Sequence, residues 1–74
     1  MAVARNTEIS ATSSQSFDDA LRQGLARATK TLRNVKGAWI KEQEVTLQND
    51  QISEYKVTMM VTFVLDDSNA DSAA

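Results

Sequence analysis

The chain has 74 residues, a formal net charge of −2, and neither cysteine nor histidine. The missing residue types exclude disulfides, thiol chemistry, histidine-based catalytic triads and the usual zinc sites, and the near-balance of charge gives no reason to expect a nucleic-acid partner. A chain of this size forms at most one domain with a marginally stable core, so self-association is the remaining means of support.

No segment predicts secretion or a membrane span. The first 16 residues lack the apolar core of a signal peptide, and no run approaches the ~20 apolar residues of a transmembrane helix. We therefore expect a cytoplasmic protein with no membrane partner. An enzyme would have to use carboxylate, lysine or tyrosine chemistry, and no base, nucleophile and orienting group can be assembled around Tyr55 or Lys56. A non-enzymatic role is expected.

The N-terminal half predicts a strand followed by a helix. Weak alternation of β-branched and polar residues predicts a strand over 3–11. A polar turn leads to Ser16, the expected helix N-cap, with Asp19 three residues later in an acidic version of the capping box. The helix is expected to run for about seventeen residues from Phe17, because apolar residues recur at helical spacing. Those positions are Phe17, Ala20, Leu21, Gly24, Leu25, Ala28 and Leu32.

The two glycines of the chain have predicted backbone roles. Gly24 lies within the apolar stripe, where it lowers helix propensity, so we expect it to allow close approach of another backbone. The helix is expected to end near 34–37, where Asn34 or Gly37 takes the left-handed cap.

The C-terminal half predicts a β-hairpin. Strands are expected over 38–47 and 54–65, joined by a turn over 48–51 in which Asn49 and Asp50 tolerate the positive φ of a tight hairpin. The helix is long enough for a crossover, so the first two strands are expected to flank the third, which is central and antiparallel to both. The predicted fold class is α+β with βαββ order.

Alternation assigns the faces of these two strands. One face of the second strand is expected to carry Trp39, Lys41, Gln43, Val45 and Leu47. One face of the third strand carries Tyr55, Val57, Met59, Val61, Phe63 and Leu65.

The third strand is longer than the helix expected to cover it. The strand spans about 40 Å and the helix about 25 Å. We expect Val61, Phe63 and Leu65 to extend beyond the helix, and copies of the same chain in a closed symmetric assembly to cover them.

The last residues differ in composition from the rest. The domain is expected to cover 1–66, followed by an acidic, disordered tail over 67–74 without large apolar residues. Asp66, Asp67 and Asp71 do not follow the spacing of a calcium loop.

Several segments together resemble the dodecin family over nearly all of residues 5–66. They are 12–20 at the helix start, 26–34 at the helix end, the pair Glu42-Gln43, and 54–65. The resemblance implies a three-stranded antiparallel sheet wrapped on one amphipathic helix, with twelve copies forming a hollow homododecamer. It also implies binding of a flavin (riboflavin, FMN or FAD) for storage or buffering rather than catalysis.

The resemblance also implies a flavin site. Flavin-binding members have a stacking tryptophan at the start of strand two and a glutamine after the aromatic residue of strand three. Aligned without gaps, these positions hold Gly37 and Lys56 here. Trp39 is two residues beyond Gly37, on the same face and about 6.6 Å along the strand. We therefore expect Trp39 to stack on the flavin, with Gln43 and Lys56 as polar contacts.

Two alternative interpretations remain open. Trp39 alternatively anchors a subunit interface, where tryptophan is enriched. A dodecin-like branch without the stacking tryptophan has a second strand similar to 40–43 here, and it is associated with calcium. It implies a structural or calcium-binding assembly without flavin, in which Glu42, Glu44 and the tail acids supply oxygen ligands.

Overall fold

The computed structural model describes residues 3–65, which form three strands and one helix. The order is β1 (Val3–Ser13), α1 (Phe17–Thr31), β2 (Val35–Gln48) and β3 (Gln51–Leu65). β3 lies between β1 and β2 and pairs antiparallel with both. This confirms the α+β class, the βαββ order and the central third strand. No helix in this range is long and apolar enough to cross a membrane, and the tail predicted over 67–74 lies outside the described residues.

The start of α1 is determined by short polar side chains. The Ser16 hydroxyl accepts a hydrogen bond from the Asp19 backbone N–H at 2.9 Å, which confirms the predicted N-cap. The Ser13 hydroxyl, buried at the end of β1, donates to the Asp19 carboxylate at 2.6 Å. This carboxylate therefore ties the last residue of β1 to the first turn of the helix.

The end of α1 differs from the prediction. The helix has 15 residues, fewer than predicted, and ends at Thr31. Asn34 takes the left-handed conformation with φ 60°, and its carbonyl accepts a hydrogen bond from the Val64 N–H at 3.0 Å. Asn34 is nevertheless not the helix cap: the C-cap is Leu32, which is extended (φ −102°, ψ 141°) and whose N–H donates to the Ala28 carbonyl at 2.8 Å. The left-handed conformation predicted at Gly37 is wrong, because Gly37 lies within β2 and has no positive φ.

The helix covers one face of β1 and β3. We call this the helix-side face of the sheet and its opposite the outer face. A Cβ added at Gly24 would lie 2.7 Å from Met59 Cε and 3.2 Å from Ala11 Cβ, so Gly24 admits side chains of the sheet rather than the predicted backbone. The buried core consists of Ala20, Ala28, Val57, Met59 and Val61.

The helix leaves the start of β3 exposed, whereas the sequence predicts that the end of β3 is exposed. Val61 is fully buried in the single chain, and Phe63 and Leu65 are half-buried, so the expectation that all three extend beyond the helix is wrong. The reason is the position of the helix start. Phe17 makes an edge-to-face contact with Tyr55, with ring centroids 5.1 Å apart, and α1 runs from there towards the end of β3.

β2 is the uncovered part of the sheet. Nearly all of its residues are exposed, because α1 packs chiefly against β1 and β3. Ile40 and Val45 lie on the helix-side face, where they pair with Met59 and Tyr55. The large exposed apolar side chains of β2 and of the start of β3 are Trp39, Ile40, Val45, Leu47 and Ile52.

β2 is not a regular strand. Its pairing with β3 shifts between Val35 and Gly37, between Ile40 and Glu42, and between Thr46 and Leu47. An extra residue in a strand interrupts the alternation of faces beyond it. Trp39 pairs with Met60 on the outer face, whereas Gln43 pairs with Val57 on the helix-side face. The prediction that Trp39 shares a face with Gln43 and with the later odd-numbered residues of β2 is therefore wrong.

Candidate functional site

Trp39 is the only tryptophan of the chain and lies on the outer face. It pairs with Met60 of β3, which in turn pairs with Glu8 of β1, so these three residues form a row across the sheet. Trp39 is 50% exposed. It therefore presents a large flat apolar surface to a ligand or to a second protein chain.

Gly37 occupies the next row of the outer face. It pairs with Thr62, two residues beyond Met60, which confirms that Gly37 and Trp39 share a face. Apart from atoms of Gly37 and its two chain neighbours, no atom of the described residues lies within 4 Å of a Cβ placed at Gly37. The surface beside the indole is therefore open.

Lys56 and Gln43 are less well placed for contact with a ligand on Trp39. Lys56 is on the outer face, and its Nζ lies 3.9 Å from Glu44 Oε1. It is four residues from Met60, which corresponds to about 13 Å along the strand. Gln43 is on the helix-side face, so the sheet separates its amide from the indole of the same protomer.

An ion pair that the sequence analysis did not find crosses the sheet beside Trp39. Lys41 is the extra residue of the bulge between Ile40 and Glu42, and its Nζ donates to Glu8 Oε1 at 3.0 Å. The pKa of Lys41 is raised, mainly by the hydrogen bond to Glu8 and secondarily by the negative charge of that carboxylate. Lys41 is therefore protonated at neutral pH. The two residues are 33 positions apart, and no local spacing rule relates them.

Uncharged hydrogen bonds hold the outer face on both sides of the Trp39 row. The Thr62 hydroxyl donates to Asn6 Oδ1 at 2.8 Å in the row of Gly37. The Ser10 and Thr58 hydroxyl oxygens are 3.1 Å apart in the row of Glu42. These contacts link β1 to β3 in the rows next to that of Trp39.

Comparison with known proteins assigns the family. The dodecin family model matches residues 3–66, a range that contains all four elements. The chain belongs to the dodecin family. Assembly into a dodecamer is consistent with that membership.

Relatives of this dodecin match along almost their whole length. The dodecin of Thermus thermophilus is 33% identical over 66 residues, which is 89% of this chain and 96% of that protein. A structure of a mutant of the Thermus thermophilus dodecin has a TM-score of 0.84 at 33% identity and covers 90% of this chain and 100% of that one. The dodecin from Streptomyces davaonensis has a TM-score of 0.83 at 38% identity, with 89% and 97% covered.

A solved structure of lower identity shares the fold. The calcium dodecin from Mycobacterium tuberculosis, described as a calcium-chelating immunodominant antigen, is 24% identical with a TM-score of 0.74, which shows a shared fold alone. Within residues 3–65 of this dodecin, no three acidic side chains form a group that could hold a metal ion. Asp66, Asp67 and Asp71 lie outside that range.

A groove of this dodecin lies on the other side of the sheet. It has a volume of about 540 Å³ between β1 and α1, where the small residues Ala11, Gly24 and Ala28 line it together with Gln23 and Arg27. None of its lining residues belongs to β2, so the groove does not include Trp39.

Proposed function

We propose that this dodecin binds and stores flavin without catalysis, and that the flavin ring stacks on Trp39. One observation carries the proposal: a half-exposed indole on the outer face with open space beside it at Gly37. The isoalloxazine ring of riboflavin, FMN and FAD is flat and aromatic. Stacking of aromatic rings contributes about 0.5–1.5 kcal/mol beyond the burial of apolar area.

Lys56 and Gly37 have supporting roles in this proposal. Lys56 offers ammonium donors to a carbonyl or phosphate oxygen at the far end of the surface. Gly37 leaves room for the edge of the ring. Gln43, on the helix-side face, is not a contact of a flavin bound to Trp39 of the same protomer.

We also propose that the protein functions as a homododecamer. In a single chain, β2 exposes Ile40 and Val45 on the helix-side face at 42% and 39%. Burial of a side chain of this size contributes about 1.5–3 kcal/mol. Contacts between copies provide that burial in a chain whose own helix does not reach β2.

A fluorescence titration tests the flavin proposal. Because Trp39 is the sole tryptophan, its emission reports on the site directly. Adding riboflavin to the full-length protein is expected to quench both tryptophan and flavin emission at micromolar concentrations. Trp39→Ala should abolish the flavin quenching. Val3→Ala, which shortens an exposed apolar side chain on β1 at the other edge of the sheet, should retain it, provided sedimentation shows an unchanged mass.

Other outcomes of the same experiment point to the alternatives. Unchanged flavin fluorescence would reject flavin binding. A colourless preparation whose melting temperature rises with calcium but not with riboflavin would favour a structural or calcium-binding assembly. If Trp39→Ala lowers the sedimenting mass while the flavin quenching persists, Trp39 is an interface anchor and not the stacking residue.

A further inference from the structure

The bulge in β2 places an ammonium group beside the stacking surface. Lys41 is the extra residue of this bulge, and its Nζ lies 3.0 Å from Glu8 Oε1. Glu8 completes the row that begins with Trp39 and passes through Met60. The ammonium therefore lies at the Glu8 end of this row, on the other side of Met60 from Trp39.

Lys41 retains capacity to bind a ligand. An ammonium has three N–H donors, and one of them is used on Glu8. Both side chains of the pair are 50% exposed, so the remaining donors are accessible from solvent. Lys56, in contrast, is two rows away beside Glu44.

A purely structural role does not account well for this pair. An ion pair between exposed side chains typically contributes only about 0–1 kcal/mol to stability. β-Bulges commonly redirect side chains next to functional sites. Here one bulge both interrupts the pairing of β2 and aims Lys41 across β3 to Glu8.

We propose that Lys41, held in place by Glu8, determines the specificity of the site by donating a hydrogen bond to a carbonyl oxygen at the pyrimidine end of the flavin ring. The proposal rests on the flavin function proposed for Trp39. The ligand class it recognises is a flat aromatic ring with carbonyl acceptors along one edge, and a phosphate is not required. Glu8 is a positioning residue, because it contacts Lys41 and not the ligand.

Riboflavin, which lacks a phosphate, is the appropriate probe for full-length variants. Lys41→Met retains the aliphatic stem without the ammonium and should raise the riboflavin Kd by about ten- to hundredfold, the loss expected for a hydrogen bond from a charged donor. Lys41→Arg should recover most of that affinity. Glu8→Gln should cause a smaller loss. Lys30→Met, the same substitution on α1, should leave the Kd unchanged.

The outcomes separate this inference from the flavin function itself. A wild-type protein that does not bind riboflavin refutes both. Wild-type binding with an unchanged Kd in Lys41→Met overturns the inference alone, and so does a loss restricted to FMN, which would assign the ammonium to a phosphate. If Lys41→Met does not assemble, the Glu8→Gln variant tests the inference instead. An unchanged riboflavin Kd in Glu8→Gln would overturn the proposed role of the ion pair.

Discussion

Three non-glycine residues within 3–65 have a left-handed backbone, and they flank β2. Asn34 has a φ of 60° between α1 and β2, and Asn49 and Asp50 have φ values of 52° and 64° between β2 and β3. Asn and Asp tolerate this conformation because their short polar side chains hydrogen-bond locally. Two consecutive positive φ values also match the twist of an antiparallel hairpin. These residues therefore set the two reversals that bound β2.

Substitutions at Asp50 test the importance of this backbone conformation. Asp50→Gly should raise the free energy of unfolding by about 0.5 kcal/mol, since glycine adopts positive φ without a steric penalty. Asp50→Val should lower it by about 1–2 kcal/mol. Denaturant unfolding at a fixed protomer concentration measures both changes. Equal stability of the two variants would show that the positive φ at Asp50 does not limit which residues the turn accepts.

The position of α1 follows from the connection that precedes it. Ser13 Oγ accepts the Gln15 N–H at 2.9 Å and donates to Asp19, and Ser16 caps the first turn. Because three residues separate β1 from α1, the helix must begin beside Tyr55 and run back along the sheet. The length of the connection thus decides which end of β3 the helix covers.

Loss of the helix cap should destabilise the protein measurably. Ser16→Ala removes the acceptor of the Asp19 N–H and should lower the free energy of unfolding by about 1 kcal/mol. Ser14 is exposed in the same turn, so Ser14→Ala is the matched control and should change stability by less than about 0.5 kcal/mol. Thermal or denaturant unfolding compares them. A Ser16→Ala variant as stable as Ser14→Ala would show that the hydroxyl is not the effective cap.

In the protomer, α1 covers the helix-side face of β1 and β3 but leaves β2 exposed. The helix buries the centre of β3, with Val57, Met59 and Val61 fully enclosed. β2 has no such cover, and Leu47 and Ile52 pair with each other near the hairpin turn while 58% and 50% exposed. A protomer with this distribution is stabilised by association, because other copies can bury what its own helix does not reach.

A charge on the uncovered face should disrupt the assembly. Val45→Glu introduces a carboxylate on the helix-side face of β2, where burial against another copy would cost several kcal/mol. Sedimentation should show species smaller than a dodecamer. Ala26→Glu, at an exposed position of α1, should sediment like the wild type. An unchanged mass for Val45→Glu would place the interfaces between copies elsewhere.

Local patterns in the sequence predicted most of the fold. Alternation in β3, helical spacing in α1, the Ser16 cap and the Asn49-Asp50 turn are interactions between neighbours in the chain, so they can be read without a structure. The resemblance to the dodecin family, which the family match confirms, added the expectation of a flavin site at Trp39.

The faces of β2 beyond Ile40, the end of β3 that α1 covers, and the partner of Lys41 emerged only from the folded chain. The bulge at Lys41 shifts the pairing by one residue, and the hydrophobic pattern of the sequence does not indicate it. The sequence therefore predicts Gln43 and Trp39 on the same face, although they lie on opposite faces. Lys41 meets Glu8 because β3 holds the two outer strands within the reach of a lysine side chain. That contact depends on strand order and register, which are properties of the packed sheet rather than of any short segment.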